Sequence, residues 1–214
     1  MNEKMIQWLT DHQEEVIGWR RHFHQNPEVS GKEFETQKKI MELLASMGIE
    51  SQKSADTGVI ADIKGGKPGK TVAIRADIDA LAMSDQIDKP YCSQNEGVCH
   101  ACGHDAHTAG LLGLAAAFKA NQAELPGTIR LLFQPSEEWF DGGASLMVEE
   151  GCMDGVDYVI GLHVWEPVPA GSIGINEVMM GSPNCFEIIV QGVGGHGSMP
   201  HQCVDPILVG SQIV

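Results

Sequence analysis

The stretch that decides the fold is HTAGLLGLAAAFKANQAELPGTIRLLF, residues 107–133, in which two different patterns follow one another. Its first part, 107–120, is rich in Ala and Leu and predicts a helix, whereas 128–133 is a short apolar run typical of a strand. A helix followed by a strand is the repeating unit of a sheet whose parallel strands are covered by helices. The stretch therefore favours an α/β fold.

The alternation extends on both sides of this stretch. Downstream, residues 144–150 predict a short helix and YVIGLHV, residues 158–164, another strand. Upstream, 58–64 and 71–76 are extended segments joined by the turn GGKPGK, and they predict a hairpin. We therefore predict a mixed, mainly parallel sheet with helices on both faces, which places a site beyond the carboxyl ends of its strands.

Two helices are predicted before the sheet. The first covers residues 3–24, where apolar side chains recur at helical spacing, and it ends before Pro27. The second is predicted to begin at an S-x-x-E capping box formed by Ser30 and Glu33.

A domain boundary is expected near residue 180, because the pattern of the sequence changes after Pro167. The residues beyond it, 181–214, contain a strand-like run, CFEIIVQGVGG, and end in the apolar run DPILVGSQIV. About 34 residues are too few for an independent core. We therefore expect that the sequence is cut short.

Composition limits the partners. The 214 residues include 14 basic and 29 acidic side chains, and the formal net charge of -15 makes nucleic acid and anionic membranes poor partners. No apolar run reaches the roughly 18 residues that span a bilayer, and the first residues lack the apolar core of a signal peptide. We therefore expect a soluble, cytoplasmic protein without nucleic-acid or membrane partners. The cysteines do not indicate a disulfide framework in a chain of this length, so reduced thiols are expected.

The densest group of reactive side chains is CHACGHDAH, residues 99–107. Its C-x-x-C spacing is that of a redox pair, but such a pair needs a preceding strand, and the residues before it indicate a loop. A structural zinc site would need a second pair of ligands, which the sequence lacks. Two interpretations of Cys102 stay open, a nucleophile activated by a neighbouring histidine and a metal ligand.

Further metal-type side chains recur where the predicted strands end. They are Asp77, Asp79, Glu137, Glu138 and His163. Each alone has an ordinary explanation as a cap, a solvated acidic pair or a core histidine. Together, carboxylate, imidazole and thiolate groups at one edge of a sheet are what a divalent metal centre requires. In the pair Glu137 and Glu138, one carboxylate can bind metal while the other moves a proton from the attacking water to the leaving amine.

The motifs, in their order, resemble one known family. They run from RRHFHQNPE near residue 20 through IRADIDAL, HACGHDAHT, FQPSEE, EEG and GLHVW to GVGGHGSMPH. The series is similar to the amidohydrolase branch of the aminoacylase/carboxypeptidase family of dinuclear metallopeptidases, which includes hippurate hydrolases and indole-acetyl-amino-acid hydrolases. The resemblance implies a zinc-exopeptidase-like fold with 1–180 as the N-terminal part of its catalytic, metal-binding domain. It implies that 181–214 begins a smaller α+β lid domain, through which the complete protein forms a homodimer.

The resemblance also implies a role for individual residues at the centre. The metal ligands that it implies are Cys102, His104, Glu138 and His163. It implies that Glu137 is the general base, which takes a proton from the attacking water and returns it to the leaving nitrogen.

Three further roles follow from the same resemblance. Asp77 would orient a ligand or tune the centre. His196 would reach the active site of the partner subunit and stabilise the oxyanion, and His201 would face the substrate. The chain departs from the family at Trp139-Phe140-Asp141, where many relatives have glycine, and in length, because a last histidine ligand that follows the family's lid domain is not present.

The function implied by these residues is that of a metal-dependent hydrolase acting on the amide bond of N-acyl amino acids or related small conjugates. The implied cofactors are two divalent metal ions, Mn²⁺ or Zn²⁺, and the mixed ligand set would also accept Co²⁺ or Ni²⁺. One alternative on the same scaffold is a dipeptidase or carboxypeptidase. An alternative of another class is a catalytically silent fragment that retains partial metal binding.

Overall fold

The computed structural model describes residues 2–140 and 142–214. The α-helices are α1 (Asn2–Asp11), α2 (Gln13–Gln25), α3 (Phe34–Ser46), α4 (His104–Ala120), α5 (Gly143–Glu149) and α6 (Pro206–Ile213). The strands are β1 (Ser51–Ser54), β2 (Gly58–Lys64), β3 (Lys67–Asp77), β4 (Pro126–Gln134) and β5 (Tyr158–Gly161). Short 3-10 helices cover Gln122–Glu124 and Pro200–Gln202. Among the described residues, none of the helices combines the length and the apolar character that a bilayer span requires.

The sheet is mixed, as the alternation of helix and strand predicted. Its strand order is β1-β2-β4-β3-β5. The β3 strand pairs in parallel with both β4 and β5, whereas β2 is antiparallel to its two neighbours. Four strands therefore point in one direction and only β2 is reversed, which confirms a mainly parallel arrangement.

Helices cover both faces of this sheet. Successive side chains of a strand point to opposite faces, so Leu131 and Phe133 of β4 lie on one face and Leu132 on the other. The first face packs against α2, α3 and α4 in the larger core, whereas Leu132 packs with Met147 of α5 in a smaller cluster. Full burial of a side chain such as Leu131 contributes about 1.5–3 kcal/mol.

The predicted hairpin of 58–64 and 71–76 is wrong, because β4 lies between β2 and β3. The glycines of the connection serve a close approach to the start of β4. The Gly65 amide donates to the Gly127 carbonyl at 2.7 Å. A Cβ atom on Gly65 would lie 2.3 Å from the Leu125 carbonyl oxygen, and one on Gly66 would lie 2.4 Å from that of Ala123. Glycine is needed there because two backbone segments are in contact. A glycine-rich sequence is found both at such contacts and in turns, so the pattern alone does not distinguish them.

The predicted capping box is also wrong. The α3 helix begins at Phe34, so Glu33 and not Ser30 occupies the N-cap position, and the Glu33 side chain makes no capping hydrogen bond. Its first amides are satisfied by Glu28, whose carboxylate accepts hydrogen bonds from the amide and hydroxyl of Thr36, both at 2.8 Å. The single helix predicted over 3–24 is interrupted at His12, so that α1 and α2 are separate.

The chain forms two compact units, one ending at Ser172 and the other comprising Ile173–Val214. The first contains the sheet and α1 to α5. In the second, all of which is described, the strand-like run at 185–191 forms no strand, and the only pairing is the bridge between Val193 and Val204. The assignment of 181–214 to a lid domain stays a prediction.

Candidate metal centre

The predicted site residues of the first unit follow the ends of adjacent parallel strands. Asp77 is the last residue of β3, Glu137 and Glu138 come shortly after β4, and His163 comes shortly after β5. Because these three strands are neighbours and point the same way, their carboxyl ends meet at one edge of the sheet. The start of α4 brings His104 to the same edge.

Gly103 allows the chain to turn between the two predicted ligands Cys102 and His104. Its φ of +86° is in the left-handed region, and a Cβ atom there would lie 2.4 Å from Cγ2 of Val164. Glycine is therefore required at this position both for backbone conformation and for space.

We expect Gly103→Ala to lower the free energy of unfolding by about 1–3 kcal/mol, and to weaken metal binding, because Cys102 and His104 can no longer keep their relative orientation. Chemical denaturation and titration with Co²⁺ measure the two effects. The matched control is Gly110→Ala within α4, the helix that Gly103 precedes, because the added methyl group there meets nothing within 4 Å. It should stabilise the chain by about 0.5–1 kcal/mol. Equal behaviour of the two variants would count against the steric requirement.

His104 lies at the centre of the group and offers one free nitrogen. Its Nδ1 donates to the carbonyl oxygen of Asp79 at 2.9 Å. Its Nε2 is buried and has no hydrogen-bond partner among the described residues. Carboxylate oxygens surround that atom, with Asp77 Oδ2 at 3.6 Å and oxygens of Glu137 and Glu138 both at 3.8 Å. An imidazole held through Nδ1–H presents the lone pair of Nε2, which is the form that binds a metal ion.

The electrostatics of this group favour a cation. Burial opposes ionisation of His104, yet the hydrogen bond to Asp79 and the charges of Asp77 and Glu137 raise its pKa above the usual value. The pKa of Glu137 is also raised, first by burial and then by the charge of Glu138. The protein therefore favours positive charge at the place where Nε2 of His104 meets the carboxylates, which is what a divalent ion would supply.

Cys102 and His163 complete one candidate ligand group with His104. Their ligand atoms lie within 4.8 Å of one another, and so do those of the group formed by His104, Glu137 and Glu138. Cys102 Sγ lies 3.5 Å from His163 Nε2. Burial, together with the charges of Glu138 and Glu137, raises the pKa of the Cys102 thiol to about 12. A thiolate is thus disfavoured unless a cation binds, which argues against Cys102 as a free nucleophile and fits a metal ligand.

Asp77 is a buried carboxylate held from two sides. Its Oδ2 accepts from Arg75 at 2.6 Å and its Oδ1 accepts from Nδ1 of His107 at 2.5 Å. Burial alone would raise its pKa, but the bond from His107 and the charges of His104 and Arg75 lower the pKa to about 2. Asp77 is therefore ionised and fixed beside His104, as an orienting group requires.

His107 was predicted to begin the helix, but α4 begins at His104 and His107 lies buried in its first turn. Its Nδ1 donates to Asp77 and its Nε2 accepts from the Val164 amide at 2.9 Å. Both ring nitrogens are used by the protein, so the candidate group of Asp77, His104 and His107 has no lone pair on His107 for a metal.

Asp79 has a role that the sequence did not reveal beyond its position after a strand. Its Oδ2 accepts from the Glu138 amide at 3.0 Å and from the Ser30 hydroxyl at 2.7 Å, while its carbonyl holds His104. Burial opposes ionisation, but hydrogen bonds to the carboxylate from Nδ1 of His104, the Glu138 amide and the Ser30 hydroxyl lower the pKa of the carboxyl. Asp79 thus links two of the predicted ligands. The pair Asp77 and Asp79 at the end of β3 was the only signal for it.

The remaining predicted positions do not belong to the candidate ligand groups. His196 and His201 belong to the unit Ile173–Val214, where Nδ1 of His196 accepts from the Ser198 amide at 3.2 Å, and their roles stay predictions. Trp139 and Phe140 are exposed, at 64% and 73% of their surface, and Asp141 lies outside the described residues.

The electrostatics of Cys99 do not favour the redox interpretation of the CHACGHDAH stretch. Burial and the charge of Asp85 raise the pKa of the Cys99 thiol, the opposite of what a redox pair needs. All six cysteines are free.

Comparisons with known proteins bear on this site. The sequence model of peptidase family M20/M25/M40 matches residues 73–209. An N-acyl-L-amino acid amidohydrolase from Geobacillus stearothermophilus is 48% identical, and the alignment covers 100% of this chain and 59% of that protein. Thermostable carboxypeptidase 2 from Saccharolobus solfataricus is 45% identical, over 99% of this chain and 55% of that protein.

Among solved structures, a dinuclear metal-binding peptidase of the M20 family from Bacillus subtilis aligns with a TM-score of 0.75 and 43% identity. The alignment covers 78% of this chain and 48% of that one. The chain thus spans between 48% and 59% of the length of these three proteins.

Proposed function

Because the chain belongs to peptidase family M20/M25/M40, we propose that it carries the metal centre of an amidohydrolase that cleaves the amide bond of N-acyl amino acids or related small conjugates. The similarity to an N-acyl-L-amino acid amidohydrolase over the whole chain supports this substrate class.

The observation that carries the proposal is the free Nε2 of His104, buried among carboxylates and without a partner in the described chain. A buried imidazole nitrogen without a partner is costly unless a ligand occupies the space beside it. The donor set of Cys102, His104, Glu138 and His163 fits two divalent ions, Mn²⁺ or Zn²⁺, with Co²⁺ or Ni²⁺ as further candidates.

The chain's own residues divide the remaining work. Bound ions would polarise the amide carbonyl and make a water molecule nucleophilic near neutral pH. Glu137, whose side chain is 40% exposed beside His104, takes the proton of that water and later returns it to the leaving nitrogen. Asp77 and Asp79 keep His104 in the orientation and tautomer that a ligand needs.

Two histidines of the second unit have proposed roles in substrate binding and catalysis. His196 stabilises the oxyanion at the active site of a partner subunit, and His201 faces the substrate. This requires a homodimer formed through 181–214. The net charge of -15 disfavours nucleic-acid and anionic-membrane partners. A small-molecule substrate and a cytoplasmic location complete the proposal.

Removal of metal tests the proposal. We expect dialysis against a chelator to abolish release of amino acid from N-acetyl amino acids, and about two equivalents of Mn²⁺, Zn²⁺ or Co²⁺ to restore it. Binding should also raise the midpoint of thermal unfolding, because at a hundredfold excess over Kd it stabilises by about 2.7 kcal/mol. A chain that neither binds metal nor gains stability overturns the proposal. Metal binding without turnover supports the silent-fragment alternative.

A carboxypeptidase is the second candidate, favoured by the 45% identity to a thermostable carboxypeptidase. The same metal-loaded protein, assayed in parallel on N-acetyl amino acids and on peptides with free carboxyl termini, separates the two. A higher kcat/KM on peptides would replace the first proposal by the second.

A further inference from the structure

Glu33 is a fully buried carboxylate far in sequence from the metal centre. Its Oε2 accepts from the Thr57 hydroxyl at 2.7 Å. Its Oε1 accepts from the Ser136 amide at 2.7 Å, and the Ser136 hydroxyl lies 3.4 Å from the same atom. A buried polar group is retained only where such hydrogen bonds compensate for lost water. The partners tie the segment before α3 to the residue that precedes Glu137.

Ser136 has a backbone conformation that needs support. Its φ is +51°, in the left-handed region that residues other than glycine seldom adopt. Because Glu137 and Glu138 come directly after it, the direction in which the chain leaves Ser136 decides where both carboxylates point. The bond from the Ser136 amide to Glu33 holds that direction.

Ser30 reaches the same centre from the same segment. Its hydroxyl donates to Asp79 Oδ2 at 2.7 Å, the oxygen that also accepts from the Glu138 amide at 3.0 Å. A backbone hydrogen bond also connects this segment to the residues after β3, since the Ala80 amide donates to the Glu28 carbonyl at 2.8 Å. The side chains of Ser30 and Glu33, called the brace below, thus contact both Asp79 and the turn before Glu137.

We propose that the brace is a positioning element, in which buried Glu33 fixes the left-handed turn at Ser136 and Ser30 fixes Asp79, so that Glu137, Glu138 and His104 converge on one point. Neither residue of the brace touches the reacting atoms. The inference rests on the proposed function because it assumes that these three side chains form the metal centre.

The test compares Co²⁺ affinity and the visible spectrum of the Co²⁺ complex among variants of the whole chain. We expect Glu33→Ala to weaken Co²⁺ binding by about 10- to 100-fold and to change the spectrum, because Glu138 loses its orientation. Glu33→Gln should stay close to wild type, because its Oε1 still accepts from Ser136 and the Thr57 hydroxyl can turn to accept from the new amide. Wild-type affinity in Glu33→Ala overturns the proposal.

The matched control is Glu28→Ala in the same segment. That carboxylate caps α3 through Thr36 and does not contact the centre. We expect it to lower the midpoint of thermal unfolding while Co²⁺ affinity stays at the wild-type value. A drop in affinity equal to that of Glu33→Ala would show that general destabilisation is the cause, and would overturn the brace.

A second variant tests whether Glu33 acts by supporting the left-handed backbone conformation of Ser136. Glycine adopts a positive φ without strain, so Ser136→Gly added to Glu33→Ala should recover part of the lost Co²⁺ affinity. If Glu33→Ala does not fold, hydrogen exchange of the Ser136 amide in Glu33→Gln decides. Continued protection supports the brace, and exchange as fast as in an exposed loop overturns it.

Failure of the proposed function would have a different signature. A wild-type chain that binds no metal overturns the metal centre, whereas hydrogen exchange at Ser136 still reports on the brace without metal. Protection of that amide in wild type and in Glu28→Ala, with loss in Glu33→Ala, supports the structural connection independently. Unchanged protection in Glu33→Ala overturns it even if the enzyme is active.

Discussion

Replacement of Glu137 by glutamine should lower kcat by about 100- to 10,000-fold and leave metal binding near the wild-type value. Glutamine keeps the size of the side chain but cannot accept a proton. In the metal-free chain, burial and then the charge of Glu138 raise the pKa of Glu137 toward neutral pH, where a general base is most effective. Rates of amino-acid release and metal content by mass spectrometry measure the two effects.

Variants of two other glutamates show whether this effect is specific to Glu137. Glu138→Gln should lose metal and turnover together, because Glu138 is the proposed ligand of the pair. Glu149→Gln, exposed at the end of α5, should behave as wild type. If Glu137→Gln keeps even about a tenth of the wild-type rate, the assignment of the base is wrong.

The pH dependence has a definite sign. In the metal-free chain, burial and then the charge of Glu138 raise the pKa of Glu137. A general base must be ionised to accept a proton, so the rate of the metal-loaded enzyme should fall as the pH falls through the pKa of this carboxyl. The residual activity of Glu137→Gln should lack this acidic limb. An acidic limb that persists unchanged in the variant would belong to another group.

A helix or strand could be predicted from the sequence where its hydrophobic pattern lies within its own residues. The Ala- and Leu-rich run predicted α4 and the apolar run predicted β4, because the periodicity of each is contained in its own residues. The order of strands is not local. The insertion of β4 between β2 and β3 depends on backbone contacts of Gly65 and Gly66 with residues more than fifty positions along the chain, and glycines in a turn give the same pattern.

The candidate site was predictable to a similar extent. Strand ends of a parallel sheet meet at one edge, and this rule alone brought Asp77, Glu137 and His163 together. Ser30 and Glu33 could not be identified in this way, because S-x-x-E before an apolar run predicts a capping box. Glu28 occupies that capping role instead, which leaves both side chains free to contact the centre.

Cys102→Ser should reduce metal affinity by more than about 100-fold and reduce turnover in proportion. A serine hydroxyl is a far weaker ligand than a thiolate at neutral pH. The matched control is Cys92→Ser, since Cys92 is also a partly buried free cysteine and belongs to none of the candidate ligand groups. It should keep wild-type metal content.

Proton release distinguishes loss of a ligand from loss of structure in this variant. In the metal-free protein the pKa of Cys102 is raised to about 12, first by burial and then by Glu138, so the thiol is protonated at neutral pH. Binding of a metal to sulfur must therefore expel that proton. Calorimetry in buffers of different ionisation enthalpy should count about one proton fewer on binding to Cys102→Ser than to wild type. Full metal occupancy with unchanged proton release would show that the thiol is not a ligand, and the centre would then have to be built from His104, Glu138 and His163 alone.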